Sequence, residues 1–580
     1  MACADIAEDG SQIVIRAEVW RMHSHRRNEG TGCAHWRYSD CPMSSPGWFA
    51  KYACALAMVP VVACGSVGGP PSDDDDDVPP GDFTITTDPA SLTLPIAGSA
   101  TVTVMVQRTG TVGDIMLSAG GTGANVSATF SPNPIPASAT TSQATISIAG
   151  GSAPATTTIT VTGTAGATQH AAMLSVTSTT ISVTGTVRGN RSGVKVGILG
   201  KQSVTSGAGG VFMFTDVIPP YDLYTFGGSG STSNPTPTVF LFNHLTRPDP
   251  IVSAPTTSDF TLIAFCLPIP PRMCPNSAVT GARTGPGTAT DDTVFAWTGP
   301  SASFAGAVLN ADRTYSGTIR WNSGADNAGV LHALQFTRRP SGAPNTFLGY
   351  ARSAQTTVSD GMPATINLAA ASVNSTATLS GTIASPSGYA MPSISLVQQF
   401  GTTQAVLWTT NMTNTVDATF PLISAAGGTS LFASVSAPDG TGSSSFVQPL
   451  TGTVAVNFAM PAAAVLSVPA DAATGVTTST HFTWISAPSI INELNISTGG
   501  TSRASYRIFT QASDATIPLV PELTLPADQD FSWRVVGYGP NASINDAAAA
   551  NELETVSSSD FQGLPHAFTT TTSRAFHSAP

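Results

Sequence analysis

From residue 83 onward, apolar and polar positions alternate in short runs. Val102, Val104 and Val106 alternate with Thr101 and Thr103, Ile146 and Ile148 repeat the spacing, and Ile159 and Val161 lie between Thr158, Thr160 and Thr162. A period of two puts one set of side chains on a buried face and the other in water, which is the signature of a β-strand. Such runs, punctuated by Gly and Pro turns, are the pattern of a β-sandwich. Near the C-terminus Phe531 and Trp533 share a parity, cannot face opposite sides of a regular strand, and predict an inward-packed face there. The pattern predicts an all-β chain of tandem β-sandwich domains, five of them at about 100 residues each.

Particular stretches carry family resemblances. Residues 83–179, from FTITTDPASLTLPIAGSATVTV through ATFSPNPIPA to TTTITVTGTAG, resemble the bacterial immunoglobulin-like (Ig-like) modules of exported proteins, with the turn at 130–134 as the best local mark. Residues 180–276 contain a Gly-Thr-Val strand at 185–187, a turn and aromatic strand at 209–214, and a proline-rich turn into a Tyr-containing strand at 217–223. These resemble carboxypeptidase-regulatory-like, transthyretin-type domains, a name that implies no peptidase activity. Gly209 and Gly210 suit a tight turn with positive φ, after which Phe212 and Phe214 share a face. The match is partial, because residues 206–210 lack the acidic or Asn residue usual in that turn. The Gly-Thr strand recurs as YSGTIRW at 315–321 and LSGTIASPSG at 379–388, suggesting two diverged copies: 277–371, of no named family, and 372–462, transthyretin-like. Residues 463–580, with Trp484 on an early strand and Phe531, Trp533 and Val535 on a late one, look like a fibronectin type III-like module. Modules of these kinds imply spacers or adhesive units.

The N-terminal region breaks the pattern. At 43–64, MSSPGWFAKYACALAMVPVVAC, Lys51 precedes an apolar run that closes on Val61, Val62, Ala63 and Cys64. The run is too short to span a bilayer and suits the core of an export signal. It resembles a bacterial lipoprotein signal peptide, which implies cleavage before Cys64 and lipidation of that residue. By the same resemblance, Gly65 after the cysteine implies an outer-membrane or cell-surface destination. Residues 1–42 show no sustained periodicity and are expected to lie upstream of the true start at Met43 or to be disordered. Residues 64–82 contain five successive aspartates, Asp73 to Asp77, among Gly and Pro, and read as an extended acidic tether.

Composition narrows the function. The net charge is −12 and only 10% of residues are charged, so no basic stripe exists and nucleic acid is excluded as an expected partner. Beyond Cys64 only Cys266 and Cys274 remain, an even pair expected to form a disulfide in an oxidising compartment, contributing about 2 to 3 kcal/mol. No nucleophile elbow, zinc helix motif or phosphate loop is present. His170, His244, His332, His481, His566 and His577 are scattered along the chain; a triad could arise only in space. Asp291, Asp292, Asp312, Asp326 and Asn327 are read as turn residues in preference to a calcium site. Trp297, Trp321 and Trp408 are the candidate aromatics for a sugar platform, with a core role as the competing reading. The expectation is a non-catalytic surface lipoprotein with no cofactor or metal, held to the membrane by its N-terminal lipid. Its expected role is scaffold, spacer or adhesin-like binder of an envelope polysaccharide or surface protein. A carbohydrate-binding accessory protein and a hydrolase within 236–371 are the alternatives.

Overall fold

The computed structural model describes residues 4–9, 12–17, 81–257, 275–550 and 566–580, apart from short breaks, the longest at 338–344. The chain divides into two units, 1–77 and 78–580. In the first, Ala4–Asp9 and Gln12–Ala17 pair as an antiparallel hairpin. Ile13, Val14 and Ile15 in the second of these strands are β-branched residues that favour extended backbone. Residues 18–80, including the signal-like stretch, Cys64 and most of the tether, lie outside the described residues, as do Cys266 and Cys274.

The second unit is built almost wholly of strands. In its first sandwich Asp82–Asp88, Ser99–Thr109, Thr141–Ile148 and Val126–Ser131 form one sheet in that order, facing Ser91–Pro95, Thr168–Thr179, Thr156–Ala165 and Met116–Gly120. This is the strand order of an Ig-like sandwich, with the first strand divided between the sheets. The alternation decides the faces: Val102, Val104, Val106, Ile146, Ile148, Ile159 and Val161 share one core. Thr158, Thr160, Thr162 and Thr164 take the opposite parity, so hydroxyls do the work of solvating a face with few charges. Asn133 covers one edge as a neighbouring strand would, accepting from the Leu117 N–H at 2.8 Å and donating to its carbonyl at 2.9 Å.

The second and fourth sandwiches share one topology. In the second, Ile181–Val187 lies between antiparallel Val211–Val217 and parallel Ile251–Val252, opposite a sheet ordered Val204–Thr205, Lys195–Ile198, Tyr221–Ser229 and Thr236–Leu245. In the fourth, Thr376–Ala384 lies between antiparallel Thr415–Pro421 and parallel Val454–Ala459, opposite Thr403–Thr410, Ser393–Phe400, Thr429–Ser436 and Gly442–Leu450. The third sandwich repeats the smaller sheet, with Asn276–Thr284 between antiparallel Thr314–Trp321 and parallel Ala364–Thr365. One glycine in each first strand lets the parallel strand return. A Cβ at Gly185 would stand 2.7 Å from the Pro250 carbonyl oxygen, and at Gly281 and Gly381 it would collide with the carbonyls of Ile366 and Val456. The recurring element in the third sandwich is therefore VTGART around Gly281. The expected YSGTIRW is the strand beside it, with Tyr315 opposite Gly281.

The modules are not beads in series. Thr236–Leu245 pairs in parallel with Ser505–Thr510 of the last module, and Gly442–Leu450 pairs antiparallel with His566–Thr571 at that module's other edge. The last module's sheet, ordered Ser505–Thr510, Ile491–Ser497, Asp530–Gly539 and His566–Thr571, thus stands between the second and fourth modules in one fourteen-stranded sheet. Its other sheet is Val465–Val468, Phe482–Ile485 and Asp514–Ala515. Shared strands are buried on both faces: Phe240 and Phe242 belong to the second module's core, Val239 and Leu241 to the last module's. Leu331–Thr337 does the same between the third and fourth modules, with Leu331 and Ala333 on one side and Leu334 and Phe336 on the other. Phe531, Trp533 and Val535 all point inward.

Candidate functional site: the polar junctions of the shared sheet

Where the second module meets the last, two buried carboxylates are fully engaged. Glu493, 1% exposed, projects from Ile491–Ser497 and is gripped by Arg507 Nε at 2.5 Å and Nη2 at 2.8 Å. Tyr538 Oη donates to the same carboxylate at 2.5 Å. The Arg507 guanidinium in turn lies 4.6 Å from the ring centroid of Phe240, across the module boundary, and 5.6 Å from that of Phe509. Burial pushes the Glu493 carboxyl up, but the adjoining Arg507 charge and hydrogen bonds more than offset it, so the group stays ionised with a lowered pKa. The same burial, reinforced by the Glu493 charge, raises Tyr538 well above its ordinary value.

Glu522 makes the second clamp. Its Oε1 meets Lys195 Nζ at 3.1 Å and the Ser203 hydroxyl at 2.9 Å, and its Oε2 accepts from Tyr224 Oη at 2.9 Å. All three partners belong to the second module. Burial, then the bond to Glu522, pushes Tyr224 up to about 12. A third link joins Arg247 Nη1 to the backbone carbonyl of Asn545 at 2.8 Å, on the short helix Ile544–Ala550. At the opposite edge Thr572 N–H donates to the Thr441 carbonyl at 2.9 Å and Ala463 N–H to Tyr389 Oη at 3.1 Å, tying the last module to the fourth. The Glu522 clamp ties the last module directly to the second, while the Glu493 pair lies within the last module and reaches the second through Arg507 and the Phe240 ring.

The three candidate aromatics take the competing core position. Trp297 is 0% exposed, Trp321 2% and Trp408 7%. Trp297 Nε1 donates to Asn327 Oδ1 at 2.8 Å and Trp321 Nε1 to the Gly324 carbonyl at 3.0 Å, while Trp408 packs in the fourth module's core. A sugar platform needs an indole face in water; these three faces are packed because each is the largest apolar surface its strand can bury. The acidic turn residues are not drawn together. Asp291 accepts from Thr288 N and Thr337 Oγ1, Asp312 from Thr314, and Asp326 from Ser359. Among the described residues no group of three His, Cys, Asp or Glu is arranged to hold a metal ion.

Space does supply the histidines with carboxylates. His170 meets Asp82 at 2.7 Å, His481 meets Asp514 at 3.1 Å, and His577 meets Asp530 at 2.7 Å and Asp528 at 2.9 Å. Both ring nitrogens of His577 face carboxylates, so the ring cannot relay a proton from a nucleophile; the two carboxylates raise its pKa. His332 differs. It is 4% exposed, bonded through Nδ1 to Tyr350 Oη at 2.8 Å and set 5.3 Å from the Phe400 ring of the fourth module. Burial, with Arg352 adding to it, lowers its pKa to about 4.

None of the junction residues stood out by spacing. The available signal was the loss of alternation in VFLF at 239–242 and LHALQF at 331–336, runs that only a strand covered on both faces can carry.

The fold defines the class: a multidomain β-sandwich protein. No protein-family model and no curated protein matches the chain. Among solved structures, the Bacillus anthracis TIE protein is similar over 63% of this chain and 70% of its own, at 9% identity and a TM-score of 0.19. Domains 4–9 of the surface layer protein SbsC are similar over 85% and 82%, at 10% identity and a TM-score of 0.14. The four N-terminal Ig domains of Dscam1 isoform 6.44 are similar over 77% and 93%, at 8% identity and 0.11. At such scores no whole-chain superposition exists, and the fold assignment rests on the sheets themselves.

Proposed function

We propose that the chain is a non-catalytic, exported surface lipoprotein whose sandwiches form a scaffold or adhesin-like binder held off a membrane by the acidic tether. The observation that carries this reading is the fourteen-stranded sheet with its saturated clamps. Glu522 of the last module is spent on Lys195, Ser203 and Tyr224 of the second, and Arg507, paired with Glu493, packs on Phe240 across the same boundary, as a rigid display body requires. In this reading the first module is Ig-like, the second and fourth are transthyretin-type, the third is a sandwich of no named family and the last is fibronectin type III-like. Cys64 carries the lipid, Cys266 and Cys274 form a disulfide, and the partner is an envelope polysaccharide or surface protein. Among the described residues no helix is long and apolar enough to cross a membrane, so attachment in this reading falls to the lipid. Expression with a radiolabelled fatty acid, followed by membrane fractionation, tests the anchor. Label on the native chain and none on Cys64→Ala is expected; label that persists in the variant would sink it.

A further inference from the structure

The third module buries a guanidinium with no carboxylate in contact. Arg283, at the inward end of Asn276–Thr284, is 0% exposed, yet it makes one hydrogen bond, from Nη1 to the Pro286 carbonyl at 2.9 Å. Its Nε and Nη2, the two donors of one guanidinium edge, have no partner. Burying a cation without a contacting counter-ion is costly, and the more distant Asp291 charge offsets it only in part. Asp291 acts on Arg283 at a distance, but its oxygens are held by Thr288 and Thr337. Arg313 adds a second positive charge to the neighbourhood.

Other orphaned groups lie on the module's other sheet. Gln335, also 0% exposed, gives its Nε2 to the Thr288 carbonyl and leaves Oε1 unpaired. Thr293, its cross-strand neighbour, has an unpaired hydroxyl. Gly349, opposite Gln335 on the other side, is placed so that a Cβ there would stand 2.7 Å from Arg283 Nη2; the missing side chain leaves that nitrogen its room.

We propose that this cluster is a binding site for a small monovalent anion, a halide or a compact carboxylate such as formate, taken on the Nε and Nη2 edge of Arg283. Two parallel N–H donors are the geometry with which arginine holds an anion. The ion neutralises the buried guanidinium and so ties the smaller sheet to Asp292–Trp297, Leu331–Thr337 and Thr346–Arg352.

The test uses the whole chain, crystallised from sodium bromide and, separately, unfolded thermally in sodium chloride, formate or gluconate at one ionic strength. Bromide anomalous density within hydrogen-bond reach of Arg283 Nη2 is expected, with a midpoint several degrees higher in chloride or formate than in gluconate. Gly349→Ala, which crowds Nη2 without removing the charge, is expected to abolish the salt difference. Should Gly349→Ala fail to fold, Arg283→Met, which removes both donors and the charge, serves as the second variant, with the salt difference abolished. An ordered water in place of bromide, or equal midpoints in all three salts for the native chain, would overturn the proposal.

Discussion

At the residue scale, single atoms decide whether strands can approach. Gly381 has φ of +132° and a Cβ there would strike the Val456 carbonyl, whereas a Cβ at Gly452 in the same module meets nothing within 4 Å. Gly381→Ala is expected to destabilise the fourth module by about 2 to 3 kcal/mol and Gly452→Ala to be near neutral, as read from hydrogen exchange in Thr376–Ala384. Glu493→Gln leaves Arg507 buried without its counter-charge. A loss of about 3 to 5 kcal/mol is expected, with much of it recovered by Glu493→Leu combined with Arg507→Met. A loss that the double variant does not relieve would mean the pair is not the clamp described.

At the element scale, junction strands confer a pH dependence. His332 is neutral in the fold with a pKa near 4, against an ordinary value of 6.5. The unfolded chain therefore binds the proton first. Stability is full above pH 6.5 and falls by about 3 kcal/mol as pH drops from 6.5 to 4. Glu493, held below its ordinary 4.5, adds a loss that begins as pH falls through that value. His577 runs the other way: its raised pKa gives stability below 6.5 that is lost as pH rises through the folded value. Thermal unfolding between pH 7 and 4 should show the contact of Leu331–Thr337 with the fourth module weakening first, and His332→Gln should flatten that slope.

At the scale of the whole molecule, the last module is the middle of a sheet although it is the end of the chain. Truncation before residue 463 would uncover Thr236–Leu245 and Gly442–Leu450 as open edges carrying apolar side chains. Such edges template association. The truncated chain is expected to associate or aggregate where the full chain does not, by light scattering after size exclusion; independent beads would stay monomeric. The faces of individual strands were legible in the sequence, because period-two alternation depends only on which side of one strand meets a core. Val102 to Val106 and Phe531 to Val535 needed no partner to be read. The candidate site was not legible. Trp297, Trp321 and Trp408 look the same in sequence whether packed or exposed, and Glu493 pairs with an arginine fourteen positions away on another strand. Local pattern alone determined an all-β chain of sandwiches with their inward faces. Tertiary structure alone decided that edges more than a hundred residues apart complete one another, because backbone hydrogen bonds between edges are nearly blind to side-chain identity, so a run such as VFLF shows that a strand is covered on both faces without naming its partner.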